Sequence, residues 1–403
     1  MDREWITMCS YGNDVPLLQF KQRLEKELLQ LTPFIKIDID RSNQEKFSEK
    51  SVVVVAWGNQ KPHLSELQSI FPKCKKTLVL LHKDDTLPKN TRVWLPVFEK
   101  HYHVRWHKDR DFTRVARFLT GNEIGLALSG GGTMGVGHLG IWQAMEETQL
   151  PIDMIVGVSC GAGFGSCFSM GISPYRLLAS FQRQEKYLQQ YTLPLISLFS
   201  SKKHDSFLKN LYCDLHIEDL WIPYVCVSTN LSSAKRFIHR RGKLWKAVKA
   251  SSAIPGLMPP VVHNSQILVD GGVIENVPAL TLKELCRGTI IISDLSSYQP
   301  FDCDFAKTPS PWKILKSRTK KKSFPSIADL LTRSCTINSI ANHSKCRQIA
   351  NFYLRPPLQK LSNQEIKSLD AVYQTSYHYA KKLFCSQQHI TSKNCCEQMK
   401  VCV

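Results

Sequence analysis

Met154-Ile155-Val156-Gly157-Val158-Ser159-Cys160-Gly161-Ala162 is a short apolar run that ends in Gly-x-Ser-x-Gly and opens into the small residues of 162–170. An unbroken apolar run of this length reads as a strand buried on both faces. The small-residue stretch behind it reads as a helix, so Ser159 stands at the tip of a strand, sharp turn and helix. That is the context in which a serine hydroxyl is held out as a nucleophile. Gly157 and Gly161 fit the same turn, which needs permissive dihedrals and close backbone approach. Cys160 reads as the small residue that starts the helix, since the serine holds the central position.

Working upstream, residues 124–128 predict another strand. Leu128-Ser129-Gly130-Gly131-Gly132-Thr133-Met134-Gly135 then leads into a helix over 136–147. A glycine-rich turn at a helix start presents backbone N–H groups to an anion, which is how an oxyanion hole is built. Downstream, Leu268-Val269-Asp270-Gly271-Gly272 places a carboxylate after a strand predicted over 266–269. No histidine follows in an equivalent loop, and His343 and His378 fall in predicted helices, so a Ser-Asp pair is expected rather than a triad with histidine. Gly135-Val136-Gly137-His138-Leu139-Gly140 formally fits G-x-G-x-x-G, but it lies within the predicted helix and no acidic residue ends a second strand about 20 residues on. Further strands over 224–228 and 289–293 and helices over 162–170 and 279–286 complete an alternation that implies a mainly parallel, doubly covered sheet.

Before this unit, helices over 15–29, 63–70 and 112–119 alternate with strands over 35–39, 52–57, 77–81 and 92–97. Gly121-Asn122 is the natural stop of the last helix. The expected organisation is a small α/β region over 1–121, a main unit over 122–385 and a polar, Cys-containing tail over 386–403. The Pro-, Lys- and Ser-rich stretch 297–324 reads as a lid or surface loop, followed by helices over 326–351 and 363–384.

The chain has 403 residues and a formal net charge of +19. That excess favours anionic partners. It concentrates in Lys235, Arg236, Arg240, Arg241, Lys243 and Lys246, and again in Lys316, Arg318, Lys320, Lys321 and Lys322. No nucleic-acid-binding signature accompanies it, so a lipid surface is the expected partner. The first residues carry acidic charges and no apolar run of a leader, and the most apolar stretch, 52–57, is far shorter than the roughly 18 residues of a membrane span. The 14 cysteines are scattered without zinc spacing. Reduced thiols in a cytoplasmic compartment, with no metal and no cofactor, are the expectation.

Glycine loop, G-x-S-x-G and Asp-Gly-Gly in this order resemble the patatin-like phospholipases, and the surrounding residues resemble the neuropathy target esterase branch. The carrying stretches are residues 101–105 (HYHVR), 111–122 (DFTRVARFLTGN), 124–140, 151–161, 217–223 (IEDLWIP), 253–260, 268–278 and 353–357. The resemblance implies a three-layer α/β/α patatin-like fold and metal-free hydrolysis of phospholipid or lysophospholipid esters. By position it makes Ser159 the nucleophile and Asp270 its base, with Gly130, Gly131 and Gly132 at the oxyanion hole. Gly135, Gly157, Gly161, Gly271 and Gly272 support the motifs. Met134 departs from the family, which usually has Arg or Lys there; Glu275 departs slightly. The alternative reading is an impaired, lipid-binding or scaffold protein of the same fold, and an activating protein partner is left open.

Overall fold

The computed structural model describes residues 4–12, 14–32, 35–39, 51–70, 76–188, 196–296, 307–310, 341–361 and 368–385, with single residues between 325 and 337. Most of the expected loop over 297–324 and the whole tail over 386–403 lie outside the described residues, as does the second basic run.

Among the described residues, the first sheet holds β1 (Glu4–Tyr11), β2 (Ile35–Ile39), β3 (Ser51–Trp57), β4 (Lys76–His82) and β5 (Lys100–Arg105), all parallel, in the order β2-β1-β3-β4-β5. Side chains alternate across it. Val53, Val55, Val79 and Leu81 face helices α1 (Leu17–Leu31) and α3 (Asp109–Thr120). Val52, Val54, Leu78 and Leu80 face Leu67 of α2 (Leu64–Ile70) together with Trp94 and Phe98. The strand expected over 92–97 is absent. Thr91–Val93 form a 3-10 turn, and Trp94 and Phe98, each 1% exposed, plug the sheet's second face. The fifth strand, Lys100–Arg105, is not among those expected; its polar His101, partly buried, and His103, buried, are covered by a distant segment, each 2.9 Å from the Glu218 carbonyl.

Gly121, at φ 72°, ends α3, a left-handed conformation open to glycine. The second sheet begins at β6 (Ile124–Leu128) and continues with β7 (Met154–Val158), β8 (Tyr224–Asn230), β9 (Lys235–His239), β10 (Val261–His263), β11 (Gln266–Asp270), β12 (Thr289–Ser293) and β13 (Phe352–Leu354). The order is β10-β11-β8-β7-β6-β12-β13 with β9 on β8. Pairings from β8 through β13 are parallel, while β9, β10 and β11 add antiparallel edges.

Helices cover both faces. Leu126, Leu128 and Ile155 pack with α4 (Gly137–Glu147), α5 (Cys160–Met170) and a C-terminal helix, Leu369–Cys385. Ala127, Val156, Val158 and Ile292 pack on the other side with α6 (Ala279–Leu285) and Cys346. The unit is the expected three-layer α/β/α fold. The helix expected up to 351 stops earlier: His343–Ile349 gives way to extended Ala350, and Phe352–Leu354 pairs with β12.

The two sheets are joined by a buried ionic knot. Asp111 is fully buried and accepts from Arg105 Nε at 2.6 Å, Arg105 Nη2 at 2.9 Å and Arg114 Nη1 at 3.0 Å. Arg114 reaches on to the Trp221 carbonyl at 3.2 Å, and Arg105 lies over the Trp221 ring. Removing one partner of such a knot leaves uncompensated buried charge, so Asp111→Ala is expected to cost about 3–5 kcal/mol of stability in denaturant unfolding.

Candidate active site

Ser159 sits between β7 and α5 at φ 54°, ψ −124°, a backbone conformation that side chains rarely adopt. The turn is held from both sides. Ser159 N–H donates to Ser251 Oγ at 3.1 Å, and Ser251 Oγ donates to the Val227 carbonyl at 2.6 Å. A methyl on Gly157 would lie 2.4 Å from the Gly161 carbonyl oxygen, and one on Gly161 2.4 Å from the Leu128 oxygen. Both contacts are with backbone, so the elbow closes only with glycine on each side.

Asp270 meets the serine because of strand register. A strand has two edges. Cys226 and Val227 of β8 pair with β9 and β7, whereas Ser228 to Asn230 pair with β9 and β11. Thus β7 and β11 abut end to end along one edge of β8. Val158 stands opposite Val227 and Asp270 opposite Ser228, in consecutive register positions. Ser159 Oγ donates to Asp270 Oδ2 at 2.7 Å, and Gly272 N–H donates to Oδ1 at 2.7 Å. Asp270 is 5% exposed, and burial pushes its pKa up to about 6 despite those two hydrogen bonds, which pull it down.

The glycine loop is clamped through Ser129, Asn276, Ser293 and Leu295. Ser129 N–H donates to the Ser293 carbonyl at 3.1 Å, and its hydroxyl accepts from Leu295 N–H at 2.8 Å. Asn276 Nδ2 donates to the Gly130 carbonyl at 3.3 Å and to Ser296 Oγ at 2.7 Å. Gly130 N–H donates to the Asn276 carbonyl at 2.9 Å. That N–H therefore has a protein partner already. Gly132, at φ 58°, has open space where a side chain would be. Met134 is half-buried against the core. Ser129 and Asn276 lie inside stretches that carry the family resemblance, but their clamping role, like that of Leu295, comes from their nearness in space.

His138 is buried within the loop's support. Its Nε2–H donates to the Ser129 carbonyl at 3.0 Å, and Nδ1 accepts from Ser293 Oγ at 2.8 Å. Burial lowers its pKa to about 4, so it stays neutral. Among the described residues no histidine bonds to Ser159 or Asp270. The Cys160 thiol is pushed up to about 12 by burial and remains protonated near neutrality. Gly137 and Gly140 of the G-x-G-x-x-G pattern seat the C-terminal helix: a methyl on Gly140 would lie 2.3 Å from the Tyr373 carbonyl. Phe168 stacks on Trp142 at 4.5 Å in the core. Glu275 accepts from Thr281 and Arg236, and Arg236 also bonds Glu284, so part of the first basic run is paired internally. Among the described residues no group of His, Cys, Asp and Glu side chains is arranged to hold a metal ion. No described helix is long and apolar enough to cross a membrane.

Fold and elbow together define the class: residues 126–283 match the patatin-like phospholipase family, and the chain carries a patatin-like phospholipase domain. Its relatives are those of the neuropathy target esterase branch. The chain is 28% identical over 386 residues to patatin-like phospholipase domain-containing protein 6 of Homo sapiens, covering 83% of this chain and 28% of that protein. It is 30% identical over 396 residues to neuropathy target esterase sws of Drosophila melanogaster, covering 85% and 27%. With lysophospholipase NTE1 of Candida glabrata it shares 32% over 294 residues, covering 69% and 17%. The chain thus spans less than a third of these relatives' length. Among solved structures, VipD from Legionella pneumophila aligns over 66% of this chain and 67% of that chain, at a TM-score of 0.35 and 12% identity.

Proposed function

We propose that the chain is a serine acyl-ester hydrolase that releases fatty acid from lysophospholipids or phospholipids. The observation that carries this reading is the 2.7 Å hydrogen bond from Ser159 Oγ, on a strained elbow, to a buried Asp270 carboxylate. Asp270 Oδ2 takes the hydroxyl proton as Oγ attacks the ester carbonyl. By position the tetrahedral oxyanion is held by amides of the glycine loop, Gly131 and Gly132 among them, while Gly130 N–H also donates to the Asn276 carbonyl. Collapse expels the lysophospholipid or glycerophosphodiester alkoxide, which receives the proton from Asp270, and leaves an acyl group on Oγ. Water then gives its proton to Asp270 as it attacks the acyl carbonyl, and collapse breaks the acyl–Oγ bond, Oγ taking the proton back from Asp270 as the fatty acid leaves.

The lipid class comes from the relatives, whose names include lysophospholipase and phospholipase. Fatty-acid release from lysophosphatidylcholine micelles should be measurable for the native protein and absent from a folded Ser159→Ala variant. Equal release by both would remove Ser159 from the reaction.

A meeting surface for lipid is proposed beside the site. Leu231, Val262 and Ile267 are 53%, 72% and 43% exposed, and they adjoin: Val262 pairs with Ile267, and Leu231 N–H donates to the Ile267 carbonyl. Ile267 of this cluster is on β11, the strand that ends in Asp270, Val262 is on β10 and Leu231 follows β8, and exposed Lys235 pairs opposite Asn230. Exposed apolar clusters of this kind mark interaction surfaces. Val262→Glu with Ile267→Glu is expected to reduce hydrolysis on vesicles about tenfold, the equivalent of about 1.4 kcal/mol of surface affinity, while sparing hydrolysis of a short, monomeric ester. Equal loss on both substrates would count against it.

A further inference from the structure

The first sheet, ordered β2-β1-β3-β4-β5, is an open parallel sheet, and such sheets take ligands beyond the carboxyl ends of their strands. At the reversal between β1 and β3 that space is filled. Gln60 Nε2 donates to Asp14 Oδ1 at 3.2 Å and Trp57 Nε1 to the Asp14 carbonyl at 3.3 Å. One strand along, beyond the ends of β3 and β4, lies a cavity of about 830 Å³. It is lined by Trp57, Lys61, His82, Lys83 and Lys89 among others, none of them a residue of the Ser159 site.

The chemistry of this cavity is specific in sign and shape. Lys61, Lys83 and Lys89 are exposed at its rim, and among the described residues none of them forms an ion pair. The carboxylate in the lining, Asp84, accepts Thr86 N–H at 2.8 Å. Three ammonium groups against one carboxylate leave a positive rim. Lys83 Nζ lies over the Trp57 ring, 5.1 Å from its centre, so a cation and an aromatic ring meet in the wall of the cavity. Leu81, Leu87 and Pro88 make the walls apolar. The volume falls in the range of about 300–1,000 Å³ typical of small-molecule sites.

We propose that this cavity binds a soluble phosphorylated compound of mononucleotide size, its planar ring on Trp57 and its phosphate among Lys61, Lys83 and Lys89. Each part of the ligand answers a feature of the wall. A ring stacks on the indole, and a phosphate dianion neutralises the unpaired lysines, which act on it as point charges.

The test is calorimetric titration of the full chain carrying Ser159→Ala, so that no ester is turned over, with 5′-AMP, 5′-GMP, 5′-CMP and 5′-UMP in turn. At least one should bind saturably at one site. The matching nucleoside, lacking phosphate, and inorganic phosphate, lacking the ring, should each bind at least about tenfold more weakly. Replacing Lys61, Lys83 and Lys89 together by alanine, all exposed and so safe for folding, should abolish the titration. Trp57→Leu should weaken the nucleotide while leaving the inorganic phosphate affinity unchanged. Absence of saturable binding by all four nucleotides overturns the proposal, and so does undiminished binding by the triple-alanine variant. Lysine-dependent retention on phosphatidylserine vesicles without nucleotide binding also overturns it, by making the lysines a lipid-facing surface.

Discussion

Replacing Asp270 by asparagine is expected to bring turnover down to background and, at neutral pH, to raise the thermal midpoint by a few degrees. The two effects share one cause. Burial lifts the Asp270 pKa from 3.8 to about 6, so the charged form is disfavoured in the folded chain. A carboxyl whose folded pKa is raised contributes stability only while protonated, fully present below about pH 4 and lost as pH rises through about 6. At pH 7 the carboxylate therefore costs about 3 kcal/mol, roughly two pKa units at 1.36 kcal/mol each. Asparagine removes the charge and keeps the contacts. Its carbonyl accepts Gly272 N–H and its amide donates to Ser159 Oγ, but it cannot take the serine proton. The same shift sets the pH profile of the native protein: kcat/KM should fall about tenfold per unit below pH 6, where Asp270 is protonated. Fatty-acid release and thermal unfolding, measured on the same preparations, check both halves. Retained turnover would exclude Asp270 as the base, and a lowered midpoint would mean that its charge stabilises the fold.

The site was legible in the sequence where burial is complete and local. The run over 154–158 is buried on both faces, hence apolar throughout, and the strand ends where the pattern ends, at Val158. The glycines that close the elbow also declare themselves, because backbone contacts at 2.4 Å exclude any side chain. What joins Ser159 to Asp270 was not legible. It depends on β9 and β11 pairing antiparallel with opposite edges of β8, and the turn at Asn264 and Ser265, φ 47° and 59°, that returns β10 into β11 carries little signal. Long-range partners also hid the strand Lys100–Arg105, whose His101 and His103 find their shared partner, the Glu218 carbonyl, 117 and 115 residues away. Asn276 is the same case: its neighbours in sequence explain Asp270, while its partners, Gly130 and Ser296, lie 146 and 20 residues away.

That clamp makes the glycine loop sensitive to a single methyl group. Gly130→Ala would place Cβ 2.3 Å from Asn276 Oδ1 and 3.2 Å from Ser159 Cβ. Neither neighbour can give freely, since Asn276 is tied to the Gly130 carbonyl and to Ser296, and Ser159 is fixed by Ser251 and Asp270. The loop must move instead, and the amides of Gly131 and Gly132 move with it. Misplacing one oxyanion donor typically lowers kcat by about 10²–10³. Gly130→Ala is therefore expected to lose about that much in kcat with little change in KM, since it touches the position of the transition-state charge and not the lipid chain. The contact lies at the sheet's rim, so circular dichroism should stay native. A kcat within about threefold of the native value would show that the loop absorbs the methyl group without displacing the oxyanion donors.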